Sequence, residues 1–135
     1  MGYYSDVGIA LYTKDYNKML KKARGLKDKN ILNFIKQAER YVVKEEPVTI
    51  LKWTWIKWYP EFNHVSWITN FIEKVDSAIV RLGESINDNE EDSYLNGSDL
   101  LSYMYYNREI CIDGAYQYEE DENLNELLDE IDRRL

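Results

Sequence analysis

One stretch constrains the fold of this chain more than any other. Residues 48–59 read Val-Thr-Ile-Leu-Lys-Trp-Thr-Trp-Ile-Lys-Trp-Tyr, with Pro47 before them and Pro60 after. β-Branched and aromatic residues dominate the run and a proline closes each end, which is the composition of a strand. Successive side chains of a strand point to opposite faces. That alternation puts Leu51, Trp53, Trp55, Lys57 and Tyr59 on one face, and Ile50, Lys52, Thr54, Ile56 and Trp58 on the other. Both faces are partly apolar, so the expectation is a central strand covered at least partly on both sides.

The other elements are placed around this strand. Residues 7–12 are short and apolar and read as a buried strand. Thr13 is positioned to cap a helix with Tyr16, Met19, Leu20 and Ala23 on one face, and Gly25 suits a left-handed C-terminal position. Asp28 can cap a second helix that carries Ile31, Phe34, Ile35 and Ala38. Residues 41–43 read either as a short strand or as the end of that helix. Asn63 can cap a third helix with Val65, Ile68, Phe71, Ile72 and Val75, and Trp67 alongside. Residues 78–82 form a strand closed by Gly83, 84–99 an acidic loop, and 103–113 a last strand closed by Gly114. Leu124, Leu127, Leu128 and Ile131 mark an amphipathic helix in an acidic tail, 119–135. The order is β, α, α, β, α, β, β, α. It predicts a single α+β domain over 1–135: a small, mostly antiparallel sheet with helices largely on one face, a ferredoxin-like arrangement being one candidate.

At 135 residues the chain is long enough to bury roughly two-thirds of its unfolded surface in one core. Its one cysteine, Cys111, allows no internal disulfide and reads as a small buried hydrophobe on a strand, which fits a reducing compartment. The first residues have neither a basic nor an apolar leader pattern, and Asp6 stands where a myristoylation signal has Ser or Thr. No run approaches the ~18 apolar residues of a membrane span. With one His and one Cys, the usual zinc sites are excluded. His64 reads as a surface residue in the first turn of a helix. An EF-hand register starting at Asp88 fails, because Ser93 stands at the sixth position and Asp99 at the twelfth. There is no phosphate loop, dinucleotide fingerprint or nucleophile elbow. No catalytic residue, cofactor or metal is expected, and the chain does not read as an enzyme.

The charge is split along the chain. Residues 1–75 hold 13 Lys and Arg against 8 Asp and Glu, a net of +5, while residues 76–135 hold 4 against 17, a net of −13. Lysines fall on the solvated positions of the first two helices, the usual composition of an exposed helix face. The acidic half is the candidate partner surface: Glu84, Asp88, Glu90, Glu91 and Asp92 in the loop, and Glu119, Glu120, Asp121 and Glu122 before the tail helix. Such a surface steers encounters with a basic protein. The overall charge of −8 speaks against direct nucleic-acid binding, which Lys and Arg drive. The alternative is an aromatic pocket for a nucleotide-like ligand, built on Trp53, Trp55, Trp58 and Tyr59. The tail helix packs on its own sheet or on a second copy.

Several motifs carry a family resemblance. The opening Gly2-Tyr3-Tyr4-Ser5-Asp6-Val7, the run Trp55-Ile56-Lys57-Trp58-Tyr59-Pro60, the segment Ile79-Val80-Arg81-Leu82-Gly83-Glu84 with the acidic loop behind it, and Arg108-Glu109-Ile110 together resemble a group of small proteins encoded by phages and prophages of Gram-positive bacteria. The resemblance spans most of residues 2–113, and the acidic tail from Glu119 departs from it. It implies a mobile-element origin and the cytoplasm of a bacterial host, and it supplies no catalytic residues. Under it, the expected role is a non-enzymatic inhibitor that presents its acidic face to a basic host protein, such as a defence or nucleic-acid-processing enzyme.

Overall fold

The computed structural model describes residues 2–43, 45–106 and 109–118. Its elements run β1 (Ser5–Tyr12), α1 (Thr13–Arg24), α2 (Lys29–Gln37), β2 (Glu39–Val43), β3 (Val48–Ile56), α3 (Asn63–Ile72), β4 (Ser77–Gly83), β5 (Asn89–Tyr94), a short 3-10 helix (Ser98–Tyr103), β6 (Met104–Tyr106), β7 (Ile110–Ile112) and β8 (Ala115–Tyr118). Six strands form one sheet in the order β5-β4-β1-β3-β2-β8, and every neighbouring pair is antiparallel. Strands β6 and β7 pair with each other alone. The class is α+β, as the order of elements predicts. The two crossovers interleave: β3 lies between β1 and β2, and β1 lies between β3 and β4. Each β-α-β unit is therefore split by a strand of the other.

β3 is central, as its composition requires, and the sheet is buried on both faces. On one face Val7, Ile9 and Leu11 of β1, with Leu51 and Trp53 of β3, pack under Tyr16, Met19 and Leu20 of α1, Phe34 and Ile35 of α2, and Ile68 and Ile72 of α3. On the other, Ala10, Val48, Ile50, Ala78 and Val80 lie under Leu100, Met104 and Ile110. Small residues on that second face let the β6–β7 hairpin come close. A Cβ on Gly8 would stand 2.9 Å from Met104 Sδ. Each fully buried Val, Leu or Ile contributes roughly 1.5–3 kcal/mol, so both layers matter to stability.

The regular alternation expected along 48–59 breaks after Trp53. Val7 pairs with Trp53 and Ser5 with Ile56, so Thr54 and Trp55 together oppose Asp6. This is a β-bulge, one extra residue on β3. Its residue Trp55 sits at φ +58, left-handed backbone that a bulky side chain adopts at a cost of about 1–2 kcal/mol. The bulge reverses the facing of everything that follows. Ile56 and Trp58, expected opposite Trp53, pack against the same helix-side core as Trp53, whereas Trp55 stands out in solvent. Regular strand also ends at Ile56, three residues earlier than the composition predicts.

Other boundaries differ for local reasons. Asp28 caps α2 as expected, accepting the Asn30 amide at 2.9 Å. Thr13 and Asn63 instead open their helices from inside, preceded by Tyr12 and Phe62 without a side-chain cap. Thr13 turns its hydroxyl to Thr49, 2.9 Å away. Gly25 is right-handed at φ −77. Residues 41–43 are strand, part of β2. The acidic segment 84–99 is not one loop, because Asn89–Tyr94 pairs along β4 as the edge strand β5. The expected last strand, 103–113, is instead the β6–β7 hairpin, and the chain then returns as β8 to pair with β2. The tail helix expected over 119–135 lies outside the described residues. Cys111 lies on a strand, β7, as expected, but is half-buried and not buried, because its side chain stands on the opposite, outer side of the short β6–β7 pair from Ile110.

Candidate functional site

Five of the nine predicted acidic residues come together on the β4–β5 hairpin, where residues 84–94 hold five carboxylates and no Lys or Arg. They do not share one role. Arg81, whose side chain is only 13% exposed, donates from Nη2 to Asp88 Oδ1 at 2.6 Å and to Glu90 Oε1 at 2.7 Å, and from Nη1 to Ser5 Oγ at 3.1 Å. Tyr3 reaches across from the chain start: its hydroxyl donates to Asp88 Oδ2 at 2.5 Å and accepts the Ser85 amide at 3.0 Å. The Tyr3 amide is in turn held by the Tyr59 hydroxyl at 2.6 Å. Backbone bonds close the turn, from Gly83 N to Asp88 O at 2.7 Å and from Asp88 N to Ser85 O at 2.9 Å. A Cβ on Gly83 would run into the Asp88 carboxylate and the Tyr3 hydroxyl, so this arrangement of the two side chains leaves room only for glycine.

The electrostatics follow from this geometry. Hydrogen bonds from Arg81, and then from Tyr3, hold the Asp88 carboxyl below the ordinary carboxylate range. The bond to Asp88 likewise raises the Arg81 guanidinium, so it stays charged at any accessible pH. Asp88 and Glu90 therefore brace the turn through Arg81, Asp88 half-buried and Glu90 from the exposed side. Glu84, Glu91 and Asp92 remain exposed. At the tip of the turn Ile86 is 92% exposed, more than any other large apolar residue described. β5 is also an edge of the sheet, and carboxylates along an edge discourage further strand pairing. Glu119, Glu120, Asp121 and Glu122 lie outside the described residues. Sequence reasoning missed Arg81, Tyr3 and Ile86 as parts of this hairpin. One signal was available: Arg81 is the only Lys or Arg between Lys74 and Arg108.

The fold keeps Trp53 and Trp58 together in the core but sends Trp55 and Tyr59 elsewhere, so the four aromatic residues of the alternative pocket do not line one site. Trp53 is core: its indole N–H donates to the Phe34 carbonyl at 2.9 Å, and its ring stacks on Phe34 with centroids 5.0 Å apart. Trp58 packs on both rings, at 6.1 Å from Phe34 and 5.8 Å from Trp53. Tyr59 holds the Tyr3 amide. Trp55 lines an open groove of about 570 Å³ between α2, the end of β3 and the start of α3. Its amide donates to Asp6 Oδ1 at 2.8 Å, and its ring stacks on Tyr4 at 4.9 Å with the planes 7° apart. His64 also lines the groove, 4.4 Å from the Phe34 ring. Burial lowers its pKa from 6.5, so the imidazole is neutral at pH 7 and offers one donor and one acceptor.

Among the described residues, no group of three or more His, Cys, Asp or Glu is placed to hold a metal ion. No helix among them is long and apolar enough to cross a membrane. Comparison with protein-family models, with curated proteins and with solved structures finds no match to this chain.

Proposed function

We propose that this chain is a non-enzymatic interaction protein that presents its β4–β5 hairpin to a basic surface of another protein. We read the interleaved β1–β4 unit as a ferredoxin-like core on which that hairpin is an added edge. The observation that carries the proposal is the bracing of the turn. Arg81, Tyr3 and Gly83 hold residues 84–88 in one shape while Ile86 projects into solvent at the tip beside Glu84, and Glu91 and Asp92 stay exposed further along β5. A turn fixed in advance loses little entropy on binding. An apolar centre with a charged rim is the usual anatomy of a protein interface, and the carboxylates favour a Lys- and Arg-rich partner. In the phage setting that the resemblance implies, the partner is a host defence or nucleic-acid enzyme whose basic groove the hairpin occupies.

The test is capture from a lysate of a Gram-positive host at low salt, read by native mass spectrometry. Wild type is compared with a Glu84→Gln, Glu91→Gln, Asp92→Asn triple variant and with Ile86→Ser. Asp88 and Glu90 are left intact because they shape the turn. The expected result is one protein at fixed stoichiometry, with recovery at least tenfold lower for both variants. Equal recovery with all three, or no stoichiometric partner, refutes the proposal.

A further inference from the structure

Trp55 is costly where it stands, and nothing in the core needs it there. A bulge residue in left-handed backbone is ordinarily glycine or asparagine. Here it is a tryptophan whose ring is 61% exposed and stacked on the partly buried Tyr4. Backbone strain of this kind clusters at functional sites, which makes an exposed aromatic there a candidate ligand contact. Trp55 lines two cavities: the groove described above, and a smaller one of about 180 Å³ that also takes in Gly83 and Glu84.

The rest of the groove narrows down the ligand. From α2 it takes Asn30, Asn33 and Gln37, one stripe of the helix, with Phe34 at its floor, while Ile31 and Ile35 turn to the core. Each amide offers both a donor and an acceptor, the pairing that reads the edge of a nucleobase. Neutral His64 adds one of each. Lys57 is the only charged residue among the lining residues, so the groove favours an anion. Its volume is that of a small-molecule site. The overall charge of −8 opposes the tracking of a long phosphate backbone.

We propose that this groove binds a single nucleotide, with the base stacked on Trp55, its edge read by Asn30, Asn33 and Gln37, and its phosphate near Lys57. The site uses different residues from the hairpin, so either proposal can fail without the other.

The test is calorimetric titration of the full chain with AMP, GMP, CMP and UMP, with the four parent nucleosides, and with a tetranucleotide of the best-bound base. At least one mononucleotide should bind saturably. Trp55→Gly, which removes the ring and relieves the backbone, should weaken it at least tenfold. Asn33→Ala, at an exposed helix position, should weaken it severalfold and change the order of preference among bases. Lys57→Gln should weaken the nucleotide at least threefold and leave the nucleoside unchanged. No binding across the panel overturns the proposal, as does binding that survives Trp55→Gly. A tetranucleotide bound tenfold tighter than the mononucleotide overturns it in favour of a single-strand site.

Discussion

Deleting Trp55 should leave the protein folded, although it shortens a central strand by one residue. The reason lies in the register. With Trp55 removed, β3 reads Trp53-Thr54-Ile56-Lys57-Trp58, a regular alternation that keeps Trp53, Ile56 and Trp58 on the helix-side face where they now pack. Ser5 keeps Ile56 as its partner, and the bulge disappears. The energies are opposed and of similar size. Trp55 is 61% exposed, so of the roughly 250 Å² a tryptophan can bury it loses about 100 Å², worth at most about 2.5 kcal/mol. Relief of the left-handed backbone returns about 1–2 kcal/mol. The net loss should be near 1 kcal/mol. Deleting Lys52 is the control. There Leu51 and Trp53 fall on opposite faces, and Trp53 leaves its stack on Phe34 and its hydrogen bond. Truncating a buried tryptophan alone costs about 3–5 kcal/mol, and the slip also brings the polar Thr54 opposite Val7, into the helix-side core that Trp53 vacates. Against a typical total of about 5–15 kcal/mol, that chain should not fold cooperatively. Urea unfolding followed by circular dichroism measures both. A Trp55 deletion as damaging as the Lys52 deletion would refute the bulge argument.

Further outcomes follow from the same contacts. Gly8→Val should cost about 1–3 kcal/mol by overpacking against Met104, and Met104→Ala should recover part of that loss in a double-mutant cycle read by thermal unfolding. Trp53→Phe should cost about 1–3 kcal/mol through the buried Phe34 carbonyl left without its donor, measured by denaturant midpoint. The Asp88 carboxyl is held below its ordinary value of 3.8 by Arg81 and Tyr3. Its contribution is therefore present above that value and is lost as pH falls through the lower folded value. Wild type should lose stability more steeply than Asp88→Asn below about pH 4; parallel pH profiles would show that the brace is not electrostatic.

Much of the fold was legible because it is written in local pattern. The helical spacing of Tyr16, Met19, Leu20 and Ala23, and of Ile31, Phe34 and Ile35, matches the faces that α1 and α2 bury. Asp28 could be assigned as a cap because its reach to Asn30 spans two residues. The segment 84–118 was harder. Its strands are short or acidic, and Asn-Glu-Glu-Asp-Ser-Tyr becomes β5 only because β4 offers a free edge. The candidate sites divide in the same way. The acidic cluster was visible as composition, but not that Asp88 and Glu90 face Arg81. An ion pair between residues seven or nine apart, secured by Tyr3 from 85 residues away, leaves no mark in sequence spacing.

By itself the sequence determined the α+β class, the central position of β3, the two-sided burial that its apolar faces demand, and the separation of charge between the halves. These follow from hydrophobic periodicity and side-chain chemistry, which each segment carries alone. Only the tertiary structure decided the strand order, the pairing of an acidic run as an edge strand, and the bulge that turns Trp55 outward while returning Ile56 and Trp58 to the core. Those depend on which backbone lies alongside. A one-residue change in pairing reverses every side chain that follows, and that choice is made by the partner strand as much as by the strand itself.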